Sequence, residues 1–249
     1  MKRCSFKLRS AFAVLLLFSV IRDGKAQVTL LSQKVDTSGK ISKIGPNRLF
    51  FAHGTSKSGL TFWPQSRGMQ TNWWSGSIAY GVRMKLRASN WYSLVCDFDF
   101  RYDRFSISQK TPKALPFETV RHRKERISVH NLSLLLGNRF NAGRRGNSLG
   151  RYLDFGIYGD WVFRTSHVII DRTYNSSSPD GSDQRIRVKN TGLPYIENFN
   201  YGLFVRIGGN LIGLFATYRW NEIIIDPPGF EYPDLPALTI GIEVYSWGR

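Results

Sequence analysis

Chemistry that depends on a nucleophile or a metal has few residues to draw on in this chain. There are four histidines, His53, His122, His130 and His167, and two cysteines, Cys4 and Cys96. A hydrolytic centre needs a serine or cysteine within reach of a base that a third group orients. The nearest pattern is His130-Asn131-Leu132-Ser133, and a spacing of three on a strand sends the two side chains to opposite faces. His122 belongs to the basic run Arg121 to Lys124, and neither His53 nor His167 has a convergent partner in the pattern. Cys96 falls in an apolar row and reads as a small hydrophobe. No His or Cys spacing matches a metal site. Gly208-Gly209-Asn210 lies between two strands and not ahead of a helix, so it is no phosphate-binding loop. The sequence therefore predicts no catalytic residue, no cofactor and no metal, and the chain is expected not to be an enzyme.

A second set of residues is ionic. Arg83, Lys85 and Arg87 alternate with apolar neighbours, as do Asp97, Asp99, Arg101, Asp154, Asp160, Arg206, Arg219 and Glu243. Such a row either lines a polar pathway or neutralises itself as a salt-bridge network. The second reading is preferred, because a small closed sheet leaves an interior only wide enough for side chains to fill. Outside the alternating runs, Arg121, Arg123, Lys124 and Arg126 form one basic cluster, and Arg139, Arg144, Arg145 and Arg151 another. The first is expected to meet lipopolysaccharide phosphates or a partner, and the second to face the periplasm.

The elements that must carry these residues have a two-residue period. From Ile78 to Ile107, one limb alternates Ile78, Tyr80, Val82, Met84 and Leu86 with polar or small residues; the other alternates Tyr92, Leu94, Cys96, Phe98, Phe100 and Tyr102 with charged ones. Ala88-Ser89-Asn90 is the turn. That is a strand pair with one apolar and one polar face. Further strands are predicted over Arg126–Asn138, with a bulge near His130 or Asn131, over Leu153–Phe163, over Phe199–Ile207 and Ile212–Trp220 joined at Gly208-Gly209-Asn210, and over Leu238–Val244. One more is expected somewhere between residues 45 and 63. Residues 171–198, with Asn175-Ser176-Ser177-Ser178-Pro179, read as a long loop.

Eight strands result, with short turns at 88–90, 139–150 and 208–210 and long loops near 64–74, 108–125, 171–197 and 222–236. Alternation of this kind, an even strand number and apolar-out, polar-in faces predict an all-β, eight-stranded antiparallel transmembrane barrel of the outer-membrane type. A soluble barrel with the apolar face inward is the mirror alternative. Glycines on the polar face (Gly81, Gly156, Gly202, Gly213, Gly241), aromatics toward strand ends (Trp73, Trp74, Tyr92, Tyr102, Tyr218, Trp220) and long loops gathered at one end favour the membrane form.

The chain has 249 residues and a formal charge of +17. Residues 1–26 read as a signal peptide: Lys2, Arg3, Lys7 and Arg9, then an apolar run from Ala11 to Ile21, then Gly24-Lys25-Ala26. Cys4 would be lost with it. Six basic residues and one acid would go too, leaving the mature chain at +12 from +17. The expected organisation is a leader (1–26), an N-terminal segment with the first strand (27–74) and the barrel (75–249). The basic residues are dispersed and no nucleic-acid motif is present, so an anionic lipid or polysaccharide surface is the expected neighbour, and nucleic acid is not.

With Ala26-Gln27 at the leader end, eight predicted strands, and strands such as Leu153-Asp154-Phe155-Gly156-Ile157-Tyr158-Gly159 and Leu238-Thr239-Ile240-Gly241-Ile242-Glu243-Val244, the layout resembles the small outer-membrane barrels of the Bacteroidota. It looks in particular like the PorT-type accessory proteins of type IX secretion. The resemblance implies an outer-membrane location with both termini periplasmic, other secretion-system proteins as partners, and a part in exporting proteases and other cargo. A passive pore and, at a further remove, a lipid A-modifying enzyme are the alternatives.

Overall fold

A computed structural model describes residues 48–62, 70–110, 120–142, 149–174, 183–226 and 233–246. The expected leader lies outside the described residues, as do Arg144 and Arg145. Among the described residues nine strands form: β1 (Phe50–Phe62), β2 (Gly76–Arg87), β3 (Tyr92–Ile107), β4 (Lys124–Ala142), β5 (Arg151–Tyr174), β6 (Asp183–Thr191), β7 (Phe199–Gly208), β8 (Ile212–Arg219) and β9 (Leu238–Ser246). Hydrogen bonding runs in the order β4-β3-β2-β1-β9-β8-β7-β5-β6, and β4 pairs with β5 as well. All pairings are antiparallel. The sheet therefore curls, and the inner faces of strands far apart in sequence meet.

The expected eight-stranded transmembrane barrel is corrected on this point. One sheet holds nine strands, and the ninth falls where the sequence predicts only a loop. β6 adds to the far half of β5, from Ser166 to Tyr174, while β7 pairs with the near half from Tyr152 to Trp161. Among the described residues β6 pairs with β5 alone. The sheet so keeps a free edge that an edge-free eight-strand plan does not have, and β4 and β5, at 19 and 24 residues, far outrun the roughly 9–11 residues of that plan. Among the described residues no helix is long and apolar enough to cross a membrane.

The register shift expected near His130 and Asn131 is present between those two residues, but the extra residue sits on β5. His130 faces Arg164 and Asn131 faces Val162, leaving Phe163 without an opposite number. Phe163 and Arg164 are both exposed, whereas Val162 and Thr165 are buried. On β4 the inward phase never slips: Ile127, Val129, Asn131, Ser133 and Leu135 are all buried. What changes along β4 is the chemistry of the interior it faces.

That interior is layered. Next to the short turns, Phe51, Leu149, Tyr152 and Tyr245 form a small cluster. A layer of charge follows, then Leu135, Tyr158 and Phe204. At the far end Phe105, Ile107, Ile127, Val129 and Val162 pack against Leu193, Ile196, Ile223, Ile224 and Leu235 from the connecting segments. Those segments are tied by the Ile196–Ile224 bridge and by the Ile223 amide donating to Asp234 at 3.0 Å. Close backbone approach explains two inward glycines. A Cβ on Gly156 would stand 2.0 Å from the Leu136 carbonyl oxygen and 2.5 Å from the Gly137 Cα, and one on Gly241 would stand 2.2 Å from the Ser58 oxygen.

Candidate functional site

Alternation on β2, β3, β5, β7 and β9 turns Arg83, Asp97, Asp99, Asp154, Arg206 and Glu243 inward, where all are buried. β1 and β4 add Lys57 and Arg139, also buried. Arg83 grips Asp97 with two parallel bonds, Nε to Oδ1 and Nη2 to Oδ2, both 2.8 Å, and its Nη1 faces Glu243. Arg139 holds Asp154 the same way at 2.7 and 2.8 Å. Lys57 donates to Asp97 at 2.9 Å and to Asp99, with Glu243 at 3.8 Å. Arg206 bonds Asp97 and lies 3.6 Å from Asp154 and 3.5 Å from Glu243. Four cations thus meet four carboxylates, and bidentate geometry makes the arginine pairs the strong members. Rings cover the cations: Arg139 lies 3.7 Å from the Tyr152 centroid and Arg206 4.5 Å from that of Phe204.

A second ionic group lies farther along. Arg101 bonds Asp160 and, at 3.1 Å, Asp103, and Asn131 donates to Asp103 at 2.7 Å. Arg219 donates to Asp234 and to the Leu235 carbonyl, both at 2.6 Å, and so fastens β8 to the segment before β9. Lys85 is buried 5.9 Å from the Phe51 centroid, and Arg87 is half-buried near the turn. Two cavities of about 20 Å³ open between these groups, one beside Lys57, Asp99 and Arg206, the other beside Arg101, Asn131 and Arg219. Each has room for about one water molecule. The interior is filled by its own side chains, and its charges are held in place by their partners.

Sequence reasoning missed several of these residues. Arg139 reads as part of a turn facing outward, yet it sits inside on β4. Lys57 was hidden because inward positions of β1, namely Phe51, His53, Thr55, Lys57 and Thr61, mix every kind of side chain. His53 is stacked on Phe51 at 5.2 Å and meets Tyr245 edge-on at 5.7 Å. His122 and His167, expected to be solvated or without convergent partners, each face a carboxylate: His122 Nδ1 to Asp171 at 2.6 Å and His167 Nε2 to Glu125 at 2.8 Å. Gln109 joins the two pairs, donating to Glu125 at 3.0 Å and accepting from the His122 amide at 2.9 Å. Burial, with the Glu125 carboxylate nearby, pushes the Tyr195 phenol above its ordinary range. His130 and Ser133 stand on opposite faces, His130 half-buried among Phe100, Tyr102 and Phe163 and Ser133 buried inside. Among the described residues no group of three or more His, Cys, Asp or Glu could hold a metal. Of the expected anion contacts, Arg121, Arg123 and Lys124 are exposed and Arg126 is half-buried; Arg151, expected to face the periplasm, is exposed.

The outward face is the converse of the interior. Tyr80, Ile157, Ile207 and Leu214 are between 55 and 62% exposed, and the same holds in kind along β1 to β5 and β7 to β9. Trp73, Trp74, Trp91, Trp161 and Trp220 are exposed as well.

The class these features define is a curled, all-antiparallel sheet with charge inside and apolar side chains outside. No family model matches the chain, and no curated protein matches it. The resemblance to PorT-type proteins is corrected accordingly, since no relative supports it and the strand plan it used is not the one formed. The export role and the outer-membrane placement with periplasmic termini rested on that plan and are withdrawn with it. The pore and the lipid A-modifying enzyme were read onto the same barrel and go with it.

Proposed function

We propose that this protein is a non-enzymatic, lipid-associated scaffold, with acyl chains lying against the outward face of its sheet. One observation carries the reading: large apolar side chains are exposed strand after strand, while arginines, lysines and carboxylates are buried. A soluble monomer rarely leaves a contiguous apolar patch above a few hundred Å² in water. Burying one such side chain is worth about 1.5–3 kcal/mol; the described residues include 39 exposed large apolar side chains, most of them on this face, so it has on the order of tens of kcal/mol to gain from an apolar cover. The interior network contributes rigidity, because bidentate pairs fix which strand faces which. Function then belongs to the surfaces that the rigid sheet presents.

Vesicle flotation tests this. Protein folded in mild detergent and diluted into phosphatidylcholine vesicles is expected to float with the lipid and to resist extraction by high salt. Protein that remains monomeric, folded and dispersed in detergent-free buffer would contradict the reading, and a stoichiometric complex with a second protein chain in place of lipid would replace it.

A further inference from the structure

The outward face changes character past the bulge of β5. On the near side it carries Leu134, Leu136, Trp161 and Phe163, all exposed. Beyond Phe163 the paired positions read differently. His130 faces Arg164, Arg126 faces Val168 and Lys124 faces Ile170; Val168 in turn faces Lys189, Ile170 faces Arg187 and Arg172 faces Arg185. Residues directly opposite in an antiparallel pair share a face. Arg164, Arg126, Lys189, Lys124, Arg187 and Arg185 therefore stand together on the outward side of β4, β5 and β6. All except the half-buried Arg126 are exposed. From Arg164 to the Arg172–Arg185 row this face has no Asp or Glu, whereas Glu125 and Asp171 fall on the opposite face, where they meet His167 and His122.

From this juxtaposition we infer that the outward side of β4, β5 and β6 is a binding site for the headgroup of an anionic phospholipid. The inference rests on the lipid reading above and says which lipid and where. One continuous face offers apolar contact to acyl chains and then, a few residues along the same strands, a bank of cations. A phosphate-bearing headgroup on an acyl chain has the same two parts in the same order. Arginine suits the headgroup because its planar fork meets phosphate oxygens with two bonds. The bulge makes the junction: by adding Phe163 it puts a ring and then the Arg164 guanidinium on the outside in succession.

The test uses the full chain folded in neutral detergent micelles, titrated with phosphatidylglycerol or phosphatidylcholine and followed by native mass spectrometry. Phosphatidylglycerol is expected to bind more tightly, and increasingly so at low salt. Basic residues near an anionic lipid surface contribute roughly five-fold each, so the triple variant R126Q/R164Q/K189Q should lose about a hundred-fold in phosphatidylglycerol affinity. Its phosphatidylcholine binding should be unchanged. The double variant R185Q/R187Q, altered only at exposed positions, should lose about 25-fold and decides the matter if the triple variant does not fold. Arg151→Gln, outside the patch, should bind as wild type. Equal affinity of the wild type for the two lipids, or wild-type affinity in a folded variant, overturns the inference while leaving a lipid-facing sheet intact. Binding of neither lipid by a protein that also disperses without detergent defeats the lipid reading itself.

Discussion

Arg139 and Asp154 show what a buried ion pair contributes. Each is fully buried, so each was taken out of water at a cost of several kcal/mol that only a well-made partner offsets. Asp154→Ala strands the Arg139 guanidinium and is expected to lower stability by about 3–5 kcal/mol. The double variant Arg139→Met, Asp154→Leu should return to within about 1 kcal/mol of wild type, because the pair is removed whole. Guanidinium unfolding in micelles measures both; equal losses in the single and double variants would mean that packing, and not charge, holds this layer. Gly156→Val makes a separate claim. Its Cβ has 2.0 Å to the nearest backbone oxygen, so the strands must part, at a cost of at least about 1–3 kcal/mol by the same measurement. At this scale the sequence was readable wherever charge alternated with apolar residues, as at Arg83, Asp97 and Glu243. It was unreadable at Arg139, where neighbouring Asn138 and Asn141 and a following Gly imitate a turn, and at His167, whose partner Glu125 is 42 residues away.

Among elements, β5 tells most about register. The expected bulge exists, but it lies in β5 and not in β4, where Ile127 and Val129 are out of phase with Leu132, Leu134 and Leu136. They are out of phase because the interior near Ile127 is apolar and the interior near Ser133 is polar, so the same strand puts its hydrophobes inside at one end and outside at the other. A pattern reader that assumes one interior chemistry mistakes this for a slip. Since Phe163 is the surplus residue, deleting it should leave Val162 and Thr165 both inward and the protein folded. Deleting Ile157 shifts half the strand by one position and turns its side chains to the wrong face. Circular dichroism melts of the two deletions check this, and an unfolded Phe163 deletion would place the irregularity elsewhere. β6 was missed for a different reason: Arg185-Ile186-Arg187-Val188-Lys189 alternates, but both of its faces are exposed, and the Ser and Pro run before it dominates the reading. As an edge strand with lysine and arginine it carries the usual defence against unwanted pairing. Hydrogen exchange should find alternate amides of β6 protected, and nearly all amides of β2, which is paired on both sides. Uniform protection along β6 would reveal a further partner strand.

For the molecule as a whole, the two-residue period established which residues share a face. It did not establish how many strands the sheet holds, because strand number depends on segments such as 183–191, whose apolar row is only Ile186 and Val188. Nor did it establish kinship, since a layout of alternating strands is shared by many unrelated chains. In the folded chain charge lies inward as a neutral, interlocked layer, and hydrophobes lie outward on all but one strand. The central claim is that lipid covers that outward face. Bromine carried on acyl chains quenches tryptophan only at contact distance, and Trp73, Trp74, Trp91, Trp161 and Trp220 stand exposed on the outside. Protein reconstituted in phosphatidylcholine with brominated chains should lose most of its tryptophan fluorescence relative to the same protein in unbrominated lipid; equal fluorescence in the two would show that the face is covered by something other than lipid.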